Sequence, residues 1–330
     1  MSPRLPFVFT LFILAFTSIV SGCSGIPTST LAPHSGEARI QPTPRSVGSW
    51  SIKRSLPRNT GGPAVGAING ILYVAGGTEQ GYAVPDALDT LEAYDPSTNK
   101  WTAKAHMPTA RSYSAAGVIK GILYVVGGVN NNVPSNAVEA YDPVTNTWTT
   151  KAPMPTARAL LAVGVINDIL YAVGGWRPLR FLDTVEAYDP KTNTWTTKHY
   201  MPTARCNLAA GAIGGKLYAV GGSRSGDGYL NVVEAYNPAT DTWSTRASMP
   251  TARSDIAASV INNVLYAVGG YNGSYLNTVE AYDPSTNTWT VNTSMPTARE
   301  DLGTGVVGRR LYAVGGYNGG FLPTNEAFTP

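Results

Sequence analysis

The chain has 330 residues, and its 35 Gly, 24 Pro and 18 Tyr, with only 14% charged side chains, favour short strands and tight turns over long surface helices. Its 24 basic and 21 acidic residues give a formal charge of +3 without long runs of one sign, so charge counting predicts no nucleic-acid partner and no membrane-binding patch. The two cysteines, Cys23 and Cys206, offer no disulfide framework.

The first 22 residues are typical of a secretory signal peptide. A single charge, Arg4, precedes an apolar run over residues 7–20, which is shorter than the roughly 20 residues that a membrane-spanning helix needs. The run ends in Val20-Ser21-Gly22-Cys23, which resembles the lipobox of bacterial lipoproteins. The resemblance implies cleavage before Cys23, lipidation of its thiol, and export to the cell envelope, on the periplasmic or the cell-surface side. An ordinary signal peptide with an incidental cysteine is the alternative.

Residues 23–47 form the second predicted segment, a lipidated cysteine followed by a tether. The stretch is rich in Ser, Thr and Pro and has no apolar periodicity. A flexible chain of this length spans roughly 25–30 Å, enough to hold a domain clear of lipid head groups. The membrane is therefore expected as a partner through the anchor alone.

Residues 48–330 contain six copies of one unit with a period near 47. Each copy has a Trp, a Met-Pro-Thr-Ala-Arg segment or a variant of it, a run of small residues, a Gly-Gly doublet and a Glu-Ala-Tyr-Asp-Pro segment. Every Trp precedes the first Gly of its doublet by 26 residues; the tryptophans are Trp50, Trp101, Trp148, Trp195, Trp243 and Trp289. Four strand-like segments per unit indicate a propeller blade.

These residues resemble the Kelch repeat: the doublet, the Tyr before Asp-Pro and the Trp ahead of Met-Pro recur in order. The resemblance implies an all-β propeller of four-stranded antiparallel blades. The last unit stops at Pro330 without a Trp strand, whereas the first repeated element, around Trp50, is a Trp strand without three strands before it. We therefore expect six blades, with the strand around Trp50 completing the last one and removing exposed sheet edges.

The loop after each Gly doublet is the part of the unit whose length varies. From the first Gly of the doublet to the following Glu the separations are 16, 12, 12, 13, 11 and 11 residues. Propeller geometry puts this loop on the same face as the Met-Pro-Thr-Ala-Arg segment. Loops on a rigid scaffold are the usual place for binding, although lengths can also vary because nothing constrains them.

Five arginines occupy one repeat position on this face, and Thr60 fills that position in the first blade: Arg111, Arg158, Arg205, Arg253 and Arg299. A ring of guanidinium groups around the channel mouth predicts a site for a carboxylate, sulfate or phosphate. The alternative is that the arginines are Kelch framework residues that bond loop carbonyls or neighbouring acids.

Side chains beside the arginines differ between blades. The third loop is basic and aromatic through Trp176, Arg177 and Arg180, and later loops carry Tyr271 and Tyr317, whose rings suit stacking on a ligand. We assign these five residues, with the arginines, to a candidate ligand site. Acidic neighbours also occur there, at Asp255 and at Glu300 and Asp301.

Catalytic signatures are sparse. His106 and His199 have no spacing typical of a metal site, no nucleophile and base pair is legible, and no cofactor is predicted. The leading hypothesis is a binding module for a protein or glycan ligand, with an anionic group as one candidate. The alternative is an enzyme resembling the Kelch-fold sialic-acid mutarotases, in which Arg205 would hold a sugar carboxylate and Glu300 would transfer a proton.

Overall fold

The computed structural model describes residues 48–79, 87–224 and 228–330, and these form an all-β propeller of six four-stranded antiparallel blades. The predicted signal peptide, Cys23 and the tether lie outside the described residues. In the part of the chain that is described, no helix is long and apolar enough to span a membrane.

The strands follow one another blade by blade, after the N-terminal strand β1 (Ser49–Ile52). Blade 1 contains β2 (Ala64–Ile68), β3 (Ile71–Ala75), β4 (Leu91–Asp95) and β5 (Lys100–Ala103). Blade 2 contains β6 (Ala115–Ile119), β7 (Ile122–Val126), the short loop strands β8 (Val129–Asn130) and β9 (Val133–Pro134), then β10 (Val138–Asp142) and β11 (Thr147–Thr150). Blade 3 contains β12 (Ala162–Ile166), β13 (Ile169–Val173), the loop strands β14 (Trp176–Arg177) and β15 (Arg180–Phe181), then β16 (Val185–Asp189) and β17 (Thr194–Thr197).

Blade 4 contains β18 (Ala209–Ile213), β19 (Lys216–Val220), the loop strands β20 (Ser223–Arg224) and β21 (Gly228–Tyr229), then β22 (Val233–Asn237) and β23 (Thr242–Thr245). Blade 5 contains β24 (Ala257–Ile261), β25 (Val264–Val268), β26 (Val279–Asp283) and β27 (Thr288–Asn292). Blade 6 contains β28 (Gly303–Val307), β29 (Arg310–Val314) and β30 (Asn325–Thr329), and β1 is its fourth strand.

The closure of the ring by the N-terminal strand is confirmed. Strand β1 pairs antiparallel with β30, with Trp50 opposite Phe328, and the two rings lie 5.1 Å apart between centroids. The Trp50 indole N–H donates to the carbonyl of Thr293 at 2.9 Å. The first and last parts of the propeller are thereby held in one sheet, so blade 6 ends in the same kind of strand as the other blades.

The hydrophobic core lies between neighbouring blades. One cluster, for example, joins Val173 and Val185 of blade 3 to Leu217 and Tyr236 of blade 4, all of them fully buried. Each of the six repeat tryptophans covers such a seam near the rim and donates its indole N–H to a carbonyl on the other side of the seam, as Trp148 does to Ala105 at 2.8 Å.

The turns between strands contain residues that tolerate a left-handed backbone. The two-residue turn between β2 and β3 uses Asn69 and Gly70, with φ of 49° and 83°, as the twist of an antiparallel hairpin requires. The turn between β4 and β5 ends at Asn99, with φ of 55°. In the doublets both glycines have positive φ, and a Cβ at Gly174 would lie 2.7 Å from the Arg205 carbonyl oxygen of the next segment. Only glycine fits there.

Candidate functional site

The repeat arginines are fully buried, and each forms an ion pair with the third-strand glutamate of the blade that it enters. The pairs are Arg111 with Glu139 (3.0 Å), Arg158 with Glu186 (3.0 Å), Arg205 with Glu234, Arg253 with Glu280 (3.0 Å) and Arg299 with Glu326 (2.7 Å). None of the five side chains reaches solvent. The arginines therefore tie loops to blades.

The hydrogen bonds around Arg158 show how a repeat arginine connects its loop to the blades. Its Nη2 donates to the Ala172 carbonyl at 3.1 Å, and the Thr156 hydroxyl donates to the second oxygen of Glu186 at 2.7 Å. Its backbone N–H donates at 3.1 Å to the carbonyl of Ser135, which belongs to the preceding blade. Burial lowers the pKa of Arg158 to about 10 while Glu186 opposes that shift, so the guanidinium stays charged at neutral pH.

This geometry corrects the interpretation of the five arginines as an open anion-binding ring. A ligand in the channel mouth cannot touch the guanidinium groups unless the ion pairs open. The same holds for Arg205 as a ligand for a sugar carboxylate, because its Nη1 is paired with Glu234. The framework alternative describes the observed contacts. In the first blade Thr60 is buried instead, and Arg58 forms an exposed pair with Glu79 at 3.2 Å.

Two residues after each arginine position, the chain closes a ring around the propeller axis, which we call the axial ring. Each member donates its backbone N–H to the carbonyl of the preceding member at 2.8–3.1 Å, and the circle runs through all six blades. Every member has a left-handed backbone, with φ of 52–58°. The members are Gly62, Tyr113, Leu160, Asn207, Asp255 and Asp301.

The axial ring was not recognised in the sequence, although its composition carries a signal. Gly, Asn and Asp tolerate positive φ, and they fill four of the six positions. Tyr113 and Leu160 do not, so their backbone is strained, a property that clusters at functional sites. The ring surrounds a cavity of about 100 Å³ at the centre of the loop face.

The expectation that the variable loops and the arginine segments share one face is confirmed. The residue after each arginine position pairs with the residue after the same blade's doublet, as Ala159 does with Trp176 and Glu300 with Tyr317. On the side of blades 1–4 these loops enclose a cleft of about 410 Å³, which we call the side cleft. It is lined by apolar and small polar groups that include Leu160, Trp176 and Phe181.

The basic and aromatic third loop is a two-stranded hairpin beside the side cleft. Trp176 pairs with Phe181 and Arg177 with Arg180, and Leu179 at the tip is fully exposed. Both arginines of this hairpin are exposed. They therefore differ from the repeat arginines, because they carry positive charge to a surface that a partner can reach.

Aromatic residues of the later blades, among them the predicted Tyr271 and Tyr317, form one continuous row, which we call the aromatic crest. Neighbouring rings lie 5.0–5.8 Å apart between centroids, and three of the four contacts are edge-on. The row crosses blades 4, 5 and 6 in the order Tyr229, Tyr271, Tyr275, Tyr317 and Phe321. The structure thus brings Tyr271 and Tyr317 together, on the opposite side of the mouth from Trp176.

Three carboxyl groups lie beside the crest and form what we call the acidic cluster: Asp255, Glu300 and Asp301. Burial and the neighbouring Asp301 raise the pKa of Glu300 to about 7. Burial, then Asp301, raises the pKa of Asp255 well above its usual range, and the Ser254 hydroxyl donates to this carboxylate. The Tyr113 hydroxyl donates to Asp301 at 3.3 Å.

His106 and Cys206 are further chemistry-bearing side chains among the described residues. Among the described residues, no group of three or more His, Cys, Asp or Glu is placed to hold a metal ion. His106 lies on the surface and contacts Asp89 at 2.9 Å. Cys206 lines the side cleft, and burial raises the pKa of its thiol to about 12, which keeps the thiol protonated and poorly nucleophilic.

A family model matches most of the chain. The KLHDC2/KLHL20/DRC7 Kelch-repeats domain covers residues 45–201 and 196–316. Among curated proteins, the Kelch-like ECH-associated protein 1B of Danio rerio is 38% identical over 94 residues, which are 28% of this chain and 16% of that protein. The F-box/kelch-repeat protein At1g22040 of Arabidopsis thaliana is 41% identical over 69 residues, 21% of this chain and 14% of that protein.

A solved structure described as "Structure of YjhT" has a similar fold. It superposes with a TM-score of 0.69 at 20% identity and covers 84% of this chain and 97% of its own. At that identity the similarity shows the fold alone. The stretches that match the two curated relatives make up only a small share of those proteins' length.

Proposed function

The chain belongs to the Kelch-repeat family, and from this premise we propose that it is a binding module that holds a segment of a protein partner across its loop face. Kelch propellers are typically interaction modules, and the rigid ring here carries loops of unequal length on one face only. One relative is named "Kelch-like ECH-associated protein 1B", and that name describes it as associated with ECH. A protein segment is therefore the ligand that we favour over a glycan.

The side cleft is the observation that carries this proposal. Its volume of about 410 Å³ and its apolar lining suit two or three side chains of a partner, whereas a sugar would need more hydrogen-bonding groups. Trp176 and Phe181 stand on a hairpin fixed by backbone pairing, so they can act as rigid aromatic anchors. The exposed Arg177 and Arg180 would then contact the rim of the partner.

The test uses a photo-cross-linking residue placed at one of two exposed apolar positions. Leu179 lies at the tip of the blade 3 hairpin, and Val144 lies in a turn on the opposite face. In cells that express the full chain, we expect a discrete cross-linked partner from position 179 but not from position 144. Trp176→Ala should lower the yield at least tenfold, as the loss of a central anchor does.

Two outcomes would overturn the proposal. Equal cross-linking from both positions would mean that contacts are non-specific. A yield that Trp176→Ala leaves unchanged would mean that the side cleft is not the binding surface. If the cross-linked material is a glycan or a glycosylated component instead of a polypeptide, the ligand class that we favour is wrong although the loop face is right.

An enzyme resembling the sialic-acid mutarotases is the second candidate, and Glu300 is the observation that favours it. A carboxyl group with a pKa of about 7 can both accept and donate a proton at neutral pH. The buried Arg205 cannot supply the carboxylate clamp that this reaction was expected to use. NMR measurement of anomer exchange in sialic acid decides the matter, since rates unchanged by added protein would exclude the activity.

We further propose that the protein is held at the cell envelope by a lipid on Cys23, with residues 24–47 as the tether. The support is the lipobox-like sequence at the end of an apolar run of signal-peptide length. Cys23→Ser should move the protein from the membrane fraction to the soluble fraction of the envelope. Cys206→Ser is the matched control and should leave fractionation unchanged; membrane retention of Cys23→Ser would refute the anchor.

A further inference from the structure

The aromatic crest and the acidic cluster share one compartment of the channel mouth. Glu300 pairs through its backbone with Tyr317, and Ser254, the residue before Asp255, pairs in the same way with Tyr271. Both carboxylates therefore start from backbone that lies directly beside a ring of the crest. The side of the mouth formed by blades 4–6 thus places aromatic rings and carboxylates next to one another.

The cavity enclosed by the axial ring carries an independent sign of a ligand. Ser114 lines it together with Asp255 and Asp301, and only 8% of Ser114 is exposed. Its hydroxyl has no hydrogen-bond partner among the described residues. A buried polar group without a partner is costly, so an unpaired hydroxyl on a residue that lines a cavity points to a polar group that enters the cavity.

The charge of this compartment is not balanced by the repeat arginines, because each of them is paired with its own glutamate inside a blade. For Glu300 the causes of the raised pKa are burial and Asp301. Its pKa is about 7 in the folded chain against 4.5 ordinarily, so its contribution to stability is fully present below pH 4.5 and is lost as the pH rises through 7. A feature that weakens the scaffold at neutral pH is typical of a binding site.

We propose that the aromatic crest and the acidic cluster form a binding site for an organic cation, an ammonium or guanidinium group. Aromatic faces attract such cations, and carboxylates bind them through charged hydrogen bonds. Tyr271 and Tyr275 supply the faces, Glu300 supplies the nearby carboxylate, and the Ser114 hydroxyl accepts an N–H that reaches the axial cavity. This inference rests on the proposed function when the cation is a lysine or arginine side chain of the partner segment.

The proposed site binds a cation, whereas the sequence predicted a site for an anion on the same face. The basic hairpin of blade 3 and the acidic cluster lie on opposite sides of one mouth. A partner segment that crosses the mouth would place apolar side chains in the side cleft and a basic side chain against the crest. Recognition would then depend on the direction of the segment as well as on its composition.

The experiment titrates the full-length protein by calorimetry with three probes. The first is arginine amide, the second is a nine-residue Gly/Ser peptide with one central arginine, and the third is that peptide with neutral citrulline in place of arginine. We expect both arginine probes to bind and the citrulline peptide to bind at least tenfold more weakly. Binding of arginine amide as tight as that of the arginine peptide would assign the site to small free cations.

Variants locate the binding. Glu300→Gln should weaken the arginine probes about tenfold, and Tyr271→Ala should weaken them about three- to tenfold. Asp142→Asn, a change of the same chemistry in an exposed turn on the opposite face, should have no effect. Equal affinity for citrulline and arginine peptides, or full affinity in Glu300→Gln, would overturn the cation site. Heat released by calcium chloride alone, abolished by Glu300→Gln, would replace it with an inorganic cation site.

The two proposals fail in different ways. If arginine amide binds but Trp176→Ala leaves partner cross-linking unchanged, the cation site stands and the proposed protein-binding cleft falls. If cross-linking depends on Trp176 but no arginine probe binds, the binding module stands and the cation site falls.

Discussion

A chain that lacks residues 46–54 is expected to lose its closed ring and at least about 3 kcal/mol of unfolding free energy. The deletion removes β1 and with it the pairing to β30 and the packing of Trp50 on Phe328. Strand β30 then becomes an exposed edge with a large apolar ring beside it, which invites association with other chains. Urea unfolding followed by tryptophan fluorescence measures the first effect, and size-exclusion chromatography measures the second.

The matched control deletes nine residues, 26–34, from the predicted tether, and both properties should stay unchanged. Two point variants then separate packing from closure. Trp50→Ala and Trp148→Ala remove the same indole, whose N–H donates across a blade seam in each case. Both should lower stability, but only Trp50→Ala should promote oligomers, because β11 has covalent neighbours on both sides within the ring. Equal oligomer content in the two variants would contradict the closure model.

The fold was predictable because the same sequence pattern recurs in six units. Each strand assignment could therefore be checked against the other five copies. Trp50 and Pro330 could be matched as two ends of one blade since every other unit showed what was missing from each. The seams could be assigned to the tryptophans because a large side chain with one donor suits a site with apolar contacts and one carbonyl. These are local properties, and they repeat.

The site was less predictable because it depends on where side chains point between strands. Arg158 and Glu186 are 28 residues apart in the sequence, and nothing in that separation tells whether the guanidinium faces the mouth or the blade. The axial ring is also a product of the closed circle, since the backbone partner of each member comes from a neighbouring blade. By contrast, Tyr271 and Tyr317 were recognised from position alone, because residues just after the doublets must lie on the loop face.

Arg158→Met is expected to lower the unfolding free energy by about 3–5 kcal/mol, as the removal of one partner from a buried ion pair does. Glu186 would remain buried with only the Thr156 hydroxyl to hold it, and the Ala172 carbonyl would lose its charged donor. Methionine fills most of the arginine's volume, so the loss reflects charge and hydrogen bonds more than a cavity. The shift in the urea midpoint measures it.

Two controls define what the result means. Arg177→Met removes an exposed arginine from the hairpin of the same blade and should leave the urea midpoint unchanged. The double variant Arg158→Met/Glu186→Leu removes both charges together and should recover more than half of the loss, because no charge is then left buried alone. If Arg158→Met instead unfolds at the wild-type midpoint, the ion pair does not hold the blade together.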